Sequence, residues 1–575
     1  MDPEIQKRVD YWLSGPFDEK TKEQVRLLQK DPTALVDAFF AELSFGTGGL
    51  RGLMGAGTTR LNIYTIRLAT QGLANYIFKQ QESTKASVLI GFDSRHHSLE
   101  FAQQAAQVLA GNGITVYLLD ALRPTPYISF ACREKKASAA VMITASHNPK
   151  EYNGYKVYWS DGAQVVSPHD TGIVEEVEAL KDLSSVKLAP LTSPLIEITS
   201  TAALDEAYLK AIRPLQVLKK PIALKIVYTS LHGTGITLVP RALADWGFST
   251  LHLVKPQVTI DGNFPTVVFP NPEYKETLKL CTQELERIDA DIAIATDPDA
   301  DRIGVVARHK GASVRLNGNE MAAICAHFLS TKQTMPPQAA FVTTIVTTEL
   351  LKKIATASGI ALIEVLTGFK YIGEKIHLWE TTPQGGKHFV FGAEESYGCL
   401  WGTHARDKDA IIASCLIASI AAQKKLEGKT LVDALHEIYT LYGVHREQQL
   451  SIDFTPGKIG IERIQALMHT LRSNPPGRMG DLSVSYIEDY KTRLKTTLAT
   501  KKTSPLELPI SDVLLLRLED DSRLIIRPSG TEPKVKIYAA TSAAPIEDIQ
   551  GSIQACDQHL KVLLDAIKKH ILCQN

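Results

Sequence analysis

The chain has 575 residues, with 63 basic and 63 acidic side chains, so no global field favours nucleic acid or an acidic membrane surface. That length exceeds one hydrophobic core and predicts roughly three to five domains. Seven cysteines, at 132, 281, 325, 399, 415, 556 and 573, contain no Cys-x-x-Cys pair and read as reduced thiols of a cytoplasmic protein.

In chain order, Met1 to Gly15 carries Asp2, Glu4, Lys7, Arg8 and Asp10, which reads as a charged helix rather than a signal peptide. Leu35 to Ser44 also looks helical and precedes the glycine-rich Phe45-Gly-Thr-Gly-Gly-Leu-Arg-Gly52. A strand at Ser87–Phe92, a helix at Glu100–Gly111 and a strand at Val116–Asp120 alternate as in an α/β unit. The apolar run Ala137–Ile143 reads as a buried strand that ends abruptly in Thr144-Ala-Ser-His-Asn-Pro149. A linking helix at Leu204–Ile212, stopped by Pro214, opens a second unit with strands at Leu224–Tyr228 and Thr250–Val254. Its β-branched run Asp289–Thr296 empties into Asp297-Pro-Asp-Ala-Asp-Arg302. A third unit begins near Gly318, with a helix at Glu320–Leu329, a strand at Ala340–Thr344, and a strand Lys387–Phe391 running into Gly392-Ala-Glu-Glu-Ser-Tyr-Gly398. Ala410–Ala422 is apolar but too short to span a bilayer, and reads as a buried helix. From about Gly443 the pattern changes to a smaller α+β unit, with a helix at Gln465–Ser473 and a strand pair near Leu514 and Ile525. In that pair the strand Ser522–Ile526 runs into Arg527-Pro-Ser-Gly-Thr-Glu-Pro-Lys534.

The strand-to-loop junctions carry the chemistry, because ligands of open α/β sheets bind at the carboxyl ends of strands. Ser146 can hold a phosphoryl group, with Lys156 as the candidate acid/base, its pKa expected to be lowered by neighbouring cations, and His147 as the second candidate. Alternate residues of an extended loop point the same way, so Asp297, Asp299 and Asp301 can converge on one hard cation. An EF-hand is excluded, since its glycine and glutamate positions hold Arg302 and Arg308 here. Glu394 and Ser396 alternate and can accept hydrogen bonds from a hydroxyl-rich ligand. Arg527, Ser529, Gly530 and Thr531 supply a guanidinium, hydroxyls and a glycine-freed backbone, the inventory of a phosphate clamp. Arg51, Lys156, Arg302, Lys370, Lys408 and Arg527 can furnish a local cationic cleft.

These loops, taken in order with the opening Phe45–Gly52 segment and its Arg51, resemble the signature loops of the α-D-phosphohexomutases. The Glu-Glu-Ser form at 394–396 resembles the phosphoglucomutase branch. Gly46-Thr-Gly-Gly, Thr367-Gly-Phe-Lys370 and Arg406-Asp-Lys-Asp409 resemble its phosphoglucomutase/phosphopentomutase subgroup, with Ala410 a departure where relatives carry Gly. The resemblance implies three similar mixed α/β domains, at residues 1–205, 206–316 and 317–440, followed by a smaller α+β domain at 441–575 around one central cleft. It implies a mutase that works through phosphorylated Ser146, assisted by His147, Lys156 and Arg51. One Mg²⁺ per chain would be held by Asp297, Asp299, Asp301 and the phosphorylated Ser146, an oxygen-only set that suits Mg²⁺ over zinc. The substrate residues implied are Arg51, Arg302, Thr367, Gly368, Glu394, Ser396, Lys408, Arg527, Ser529, Gly530 and Thr531.

The expected reaction is glucose 1-phosphate to glucose 6-phosphate through a bisphosphate, with a hexose 1,6-bisphosphate as activator. Ribose 1-phosphate/ribose 5-phosphate and mannose phosphate are the rival substrates. A dinucleotide fingerprint at Gly46–Gly52 is excluded because a helix, not a strand, precedes it, and no Gly-x4-Gly-Lys-Ser/Thr loop occurs. A phosphoserine phosphatase would need a cleft open to water, whereas loops closing on a sugar exclude it. A non-catalytic sugar-phosphate-binding protein would not need Ser146, Lys156 and the Asp triad together. His96, His97, His232 and His404 lack ligand spacing and read as packing or surface residues. The chain is expected to be a cytoplasmic monomer or weak homo-oligomer that acts on small sugar phosphates and binds neither nucleic acid nor membrane.

Overall fold

The computed structural model describes residues 2–43, 49–80, 85–180, 182–218, 223–382, 386–455, 458–529, 534–545 and 548–572. Its contacts divide it into two compact units. The first holds residues 1–321, 333–342 and 368–432, and the second holds 322–332, 343–367 and 433–575.

In the first unit a six-stranded sheet runs in the order Gly49–Leu53, Tyr152–Trp159, Ala139–Ile143, Ser87–Phe92, Thr115–Leu119, Ile196–Thr199. Every residue of Ala139–Ile143 is buried, as a continuous apolar run must be when a sheet is covered on both faces. The helices Ile63–Gln80 and Ser98–Gly111 supply part of that cover, and Val88, Ile90, Val141, Ile143, Leu73 and Leu109 share one core. The strands Ser87–Phe92, Ala139–Ile143 and Thr115–Leu119 are parallel, but Tyr152–Trp159 returns antiparallel beside Ala139–Ile143. The polar turn at 144–151 therefore joins two neighbouring strands. Before this sheet, Pro3–Ser14, Glu19–Leu28 and Pro32–Phe39 pack a separate small core around Trp12, Phe17 and Phe39.

A second sheet has the order Ala312–Leu316, Ile303–His309, Ile292–Thr296, Ile226–Thr229, Leu251–Leu253. Ile292–Thr296 is parallel to Ile226–Thr229 and antiparallel to Ile303–His309, so the acidic loop is the turn between the latter pair. The linking helix spans Thr201–Ile212, beginning earlier than the apolar pattern because the Ser200 side chain caps the Ala202 N–H. The strand expected at Lys387–Phe391 runs instead from His388 to Glu394 and pairs with Gly398–Trp401. Glu394 is thus a strand-end residue and not a loop residue. Ala410–Ala422 is buried along its whole length in the helix Ala410–Leu426. No helix among the described residues is long and apolar enough to cross a membrane.

The second unit is built on an antiparallel sheet in the order Val444–Asp453, Lys534–Ala543, Arg523–Pro528, Leu514–Leu518, Leu482–Asp489, Leu494–Thr497, Thr503–Pro505. Leu467 and Leu471 of the helix Lys458–Ser473, and Leu560, Leu563 and Ile567 of Ile549–Leu572, share a core with Leu514, Leu516, Leu524 and Ile526. The strand Arg523–Pro528 extends past Ile526, so Arg527 also lies within a strand, short of the turn.

Candidate functional site

The serine loop is held by its own backbone geometry. Ser146 has φ +53°, a left-handed conformation that an L-residue adopts only where its surroundings impose it. Its N–H donates to Thr144 Oγ1 at 2.8 Å. Its hydroxyl, only 2% exposed as a residue, donates to Asp297 Oδ2 at 2.8 Å and lies 3.2 Å from His147 Nδ1. Gly154 faces this loop across the hairpin, where a Cβ would stand 2.4 Å from the Thr144 carbonyl oxygen. Arg51 donates from Nη1 to Asn148 Oδ1 at 3.1 Å, bringing the opening segment to the same loop. Residues 44–48, which hold most of the Gly46-Thr-Gly-Gly motif, lie outside the described residues.

Asp297, Asp299 and Asp301 are buried, and one oxygen from each lies within 4.8 Å of the others. Asp297 Oδ1 accepts the Asp301 and Arg302 N–H groups at 3.1 and 3.0 Å, which folds the turn back on itself. Burial, then Asp299 and Asp301, pushes the Asp297 carboxyl well above the usual carboxylate range. Burial works the other way on Asp299 from its partners, yet Lys156 and Thr125 prevail and hold it low. Asp299 Oδ1 and Asp301 Oδ1 are buried without a hydrogen-bond partner. Orphaned acceptor oxygens beside a third carboxylate are the donor set of a hard divalent cation, so the residues present fit Mg²⁺.

Lys156 sits on the return strand opposite Met142 and reaches Asp299 Oδ2 at 2.9 Å and Asp301 Oδ2 at 3.4 Å. Its pKa departs from expectation. Burial lowers it, but Asp299, Asp301 and Asp407 outweigh both burial and the neighbouring Lys408, and the ammonium is raised. The cation-rich surroundings inferred from sequence contain more carboxylate than ammonium. Lys408 lies 3.2 Å from Asp301 Oδ2, 3.2 Å from Asp407 Oδ1 and 4.0 Å from Glu394 Oε2. Asp407 is fixed in turn by the Tyr158 hydroxyl at 2.8 Å. Arg302 pairs with Glu273, and Lys370 donates to Asp170 at 3.3 Å.

Gly368, with φ +118°, precedes the helix Phe369–Thr381 and donates its N–H to Glu394 Oε1 at 3.0 Å. Glu394 is buried, and that burial raises its carboxyl against the pull of Lys408 and Arg302. Ser396 is half-buried in the turn before Gly398. Ser146, His147, Lys156, Arg51, the Asp triad, Lys408 and Glu394 thus form one chain of contacts in the first unit. Thr367, Arg527 and Ser529 belong to the second unit, where all three are half-buried and the Ser529 N–H donates to the Lys534 carbonyl at 2.8 Å. Gly530 and Thr531 lie outside the described residues.

Sequence reasoning passed over Asp93 and Arg95, which lie directly behind the serine loop, and Thr125, whose hydroxyl donates to Asp299 Oδ2 at 2.7 Å. An Asp-Ser-Arg step closing the strand Ser87–Phe92 was the available signal. His404, whose side chain is 4% exposed and lies 2.7 Å from Asp409 Oδ2, and His232, bonded to the Thr259 carbonyl and the Thr266 hydroxyl, act as packing residues.

Comparison with known proteins matches four successive segments of the chain. Residues 42–184, 206–311 and 317–442 match alpha/beta/alpha domains I, II and III of the phosphoglucomutase/phosphomannomutase description, and residues 508–554 match its C-terminal domain. A phosphoglucomutase of Staphylococcus haemolyticus is 38% identical over 90% of this chain and 93% of its own length. One from Staphylococcus aureus is 37% identical over 90% of this chain and 93% of its own. The solved open form of parafusin, a phosphoglucomutase of Paramecium, shares the fold with a TM-score of 0.70 at 18% identity, covering 93% of this chain and 96% of that one.

Proposed function

We propose that this chain, which belongs to the phosphoglucomutase/phosphomannomutase family of the α-D-phosphohexomutases, is a phosphoglucomutase that interconverts glucose 1-phosphate and glucose 6-phosphate. The observation that carries the reading is the Ser146 hydroxyl hydrogen-bonded to Asp297, beside the Lys156–Asp299–Asp301 cluster, in a chain 38% identical to a phosphoglucomutase over most of its length.

In this reading the phosphoryl group leaves Ser146 Oγ for a free hydroxyl of the sugar phosphate. The P–Oγ bond breaks as the new P–O bond forms, the Lys156 ammonium gives a proton to the leaving Ser146 Oγ, and the amine so formed takes up the proton of the attacking sugar hydroxyl. The resulting bisphosphate turns over, and its other phosphate returns to Ser146. Lys156, kept protonated by its carboxylate neighbours, is the acid that meets the charge developing on the serine oxygen. His147 Nδ1, 3.2 Å from Ser146 Oγ, is the group positioned to take a proton from the serine. Mg²⁺ held by Asp297, Asp299, Asp301 and an oxygen of phosphorylated Ser146 would neutralise charge on the phosphoryl group when bound. Glu394, with Ser396, Thr367 and Gly368, orients the sugar hydroxyls. Arg51, Arg302 and Lys408, and Arg527 with Ser529, Gly530 and Thr531, bind phosphate. The domain ranges 1–205, 206–316, 317–440 and 441–575 serve this scheme by each contributing one loop, and a hexose 1,6-bisphosphate primes the serine.

The reading includes a monomer or weak homo-oligomer in the cytoplasm, and that compartment is supported by the six free cysteines among the described residues, all buried or half-buried. The test is kcat/KM for glucose 1-phosphate, ribose 1-phosphate and mannose 1-phosphate under one set of conditions. Glucose 1-phosphate should be preferred, and a hydroxyl that leaves Glu394 unpaired should reduce the value by roughly ten- to a hundredfold. A higher value for ribose 1-phosphate would make the protein a phosphopentomutase. No turnover of any of the three, with binding retained, would make it a sugar-phosphate-binding protein.

A further inference from the structure

We propose that Arg95 is the positioning residue of the serine loop, gathering the loop's backbone carbonyls on one guanidinium and so fixing Ser146 for phosphoryl transfer. The inference rests on the phosphoserine reading above.

Arg95 follows the strand Ser87–Phe92, and its side chain is fully buried. Nη1 donates to the carbonyl oxygens of Pro149 and Tyr152 at 2.7 and 3.1 Å. Nη2 donates to those of Ser146, at 2.6 Å, and Asn148. The two terminal nitrogens of a guanidinium carry four N–H groups in one plane, and here four loop carbonyls receive them. Four carbonyl dipoles pointed at one spot repel each other, so without a cation at their focus the loop would open. A lysine ammonium offers three donors from a single point and cannot reach carbonyls spread this widely.

The guanidinium is itself held. Arg95 Nε lies 3.4 Å from Asp93 Oδ2, and Asp93 Oδ1 accepts the Arg95 N–H and the Ser98 hydroxyl at 2.9 and 2.7 Å. Asp93 Oδ2 also accepts the Thr144 hydroxyl at 2.6 Å, and that same oxygen of Thr144 receives the Ser146 N–H. Two routes therefore leave the Asp93–Arg95 pair and end on one residue. One runs through Thr144 to the Ser146 N–H, and the other through the guanidinium to the Ser146 carbonyl. Both peptide groups flanking Ser146 are pinned, which is what a left-handed serine needs in order to persist. On its other side Arg95 stacks over the Phe264 ring, 5.0 Å from its centroid, and Asn263 Oδ1 lies 3.0 Å from His96 Nε2. Phe264 and Asn263 fall within the matched domain II segment that also carries the aspartates. Arg95 thus lies between the phosphoryl carrier and the part of the chain that charges its site.

The test uses the full chain primed with glucose 1,6-bisphosphate, with Arg95→Lys, Arg95→Ala and Phe264→Leu compared to wild type. Arg95→Lys should lower kcat by about a hundredfold, the effect of a displacement near 1 Å, with KM for glucose 1-phosphate changed by less than about threefold. Guanidinium chloride should restore part of the Arg95→Ala rate saturably, where sodium chloride at equal concentration does not. Should Arg95→Ala fail to fold, Arg95→Lys and Phe264→Leu decide the matter, the latter by a several-fold fall in kcat at constant KM. A wild-type kcat in Arg95→Lys, or equal losses in kcat and substrate affinity, would overturn the assignment. Wild-type protein that neither isomerises glucose 1-phosphate nor carries phosphate at Ser146 would overturn the mutase reading instead, and intact-mass measurement separates the two failures.

Discussion

The Lys156 ammonium lies 2.9 Å from Asp299 Oδ2, so the candidate acid and a candidate metal ligand are joined directly. The strand carrying Lys156 and the turn carrying Asp299 come from different sheets, and their ion pair ties the phosphoryl carrier's hairpin to the acidic hairpin. Neither charge would be tolerated alone at this depth, since each is buried.

Lys156→Gln should therefore act twice. Loss of the proton donor should lower kcat by about 10²- to 10⁴-fold. The stranded carboxylates should also destabilise the first unit by about 3–5 kcal/mol, read from denaturant unfolding. The native contribution should not change across neutral pH. With its pKa raised by folding, the lysine stabilises fully below its ordinary value near 10.5, and that stability is lost only as pH rises through the folded value.

Ser146→Ala should abolish phosphoenzyme and turnover while leaving the fold intact, because the loop is held by backbone contacts that alanine keeps. Intact mass and peptide mapping after incubation with glucose 1,6-bisphosphate should find phosphate at Ser146 in the wild type only. Turnover at the wild-type rate would reject the serine as carrier.

Removal of divalent cations with a chelator should abolish activity, and Mg²⁺ should restore it. Independently of activity, Mg²⁺ should raise the melting temperature of the wild type and not that of Asp299→Asn, because binding to the folded state alone stabilises it. An equal rise in both proteins would remove the aspartates as the binding site.

Gly398→Ala should spare the fold and impair the site. An added Cβ would stand 2.0 Å from Lys408 Cδ, and a lysine stem can swing aside. Stability should fall by about 1–3 kcal/mol, because the ammonium that moves leaves buried carboxylates without a partner. The displaced ammonium leaves Asp301 and Asp407, so kcat/KM for sugar phosphates should fall by about tenfold or more. Unchanged kinetics would show that Lys408 does not serve the reaction from this position.

The second unit should be acid-labile. Glu349 is gripped by Arg517 at 2.7 and 3.0 Å, and its carboxyl, raised by burial but lowered more by Arg517 and Arg523, falls to about 2. Burial likewise lowers His445 to about 4 against the opposing pull of Glu349. Both are depressed from their unfolded values, so each contributes stability above the unfolded value that is lost as pH falls through the folded one. The loss begins near pH 6.5 from His445 and continues toward pH 2 from Glu349. Glu349→Gln should cost about 1–3 kcal/mol at pH 7 and flatten the acid end of the profile. A profile identical to the wild type would contradict this.

What was legible in the sequence was whatever depends on short-range pattern. The apolar run ending at Ile143, the alternating aspartates after Thr296 and the late strand pair were readable because strand burial and side-chain alternation are local properties. Glu394 was misplaced into a loop because glycine and acidic residues disfavour strands on their own, yet pairing with Gly398–Trp401 carries the strand to its end. The pKa direction of Lys156 depends on which distant turn folds onto it, and spacing along the chain does not encode that. Arg95 is legible only in part. The Asp-Ser-Arg step marks a charged pair at the end of a strand, but the partners of the guanidinium are main-chain oxygens, which every residue carries, so its hold on the serine loop has no side-chain signature.

The hairpin that carries Ser146 also limits how this part of the protein can evolve. Ala139–Ile143 and Tyr152–Trp159 are neighbours in one sheet, and Lys156 pairs with Met142 on one side and Gly49 on the other. Side chains alternate between faces, so a single-residue insertion or deletion passed into the return strand would turn Lys156 away from the aspartates. The turn cannot readily absorb the change either, because the carbonyls of 146, 148, 149 and 152 are tied to one planar group. Length variation should therefore accumulate elsewhere in the chain, while the spacing from Ser146 to Lys156 stays at a fixed count even among sequences that share little else.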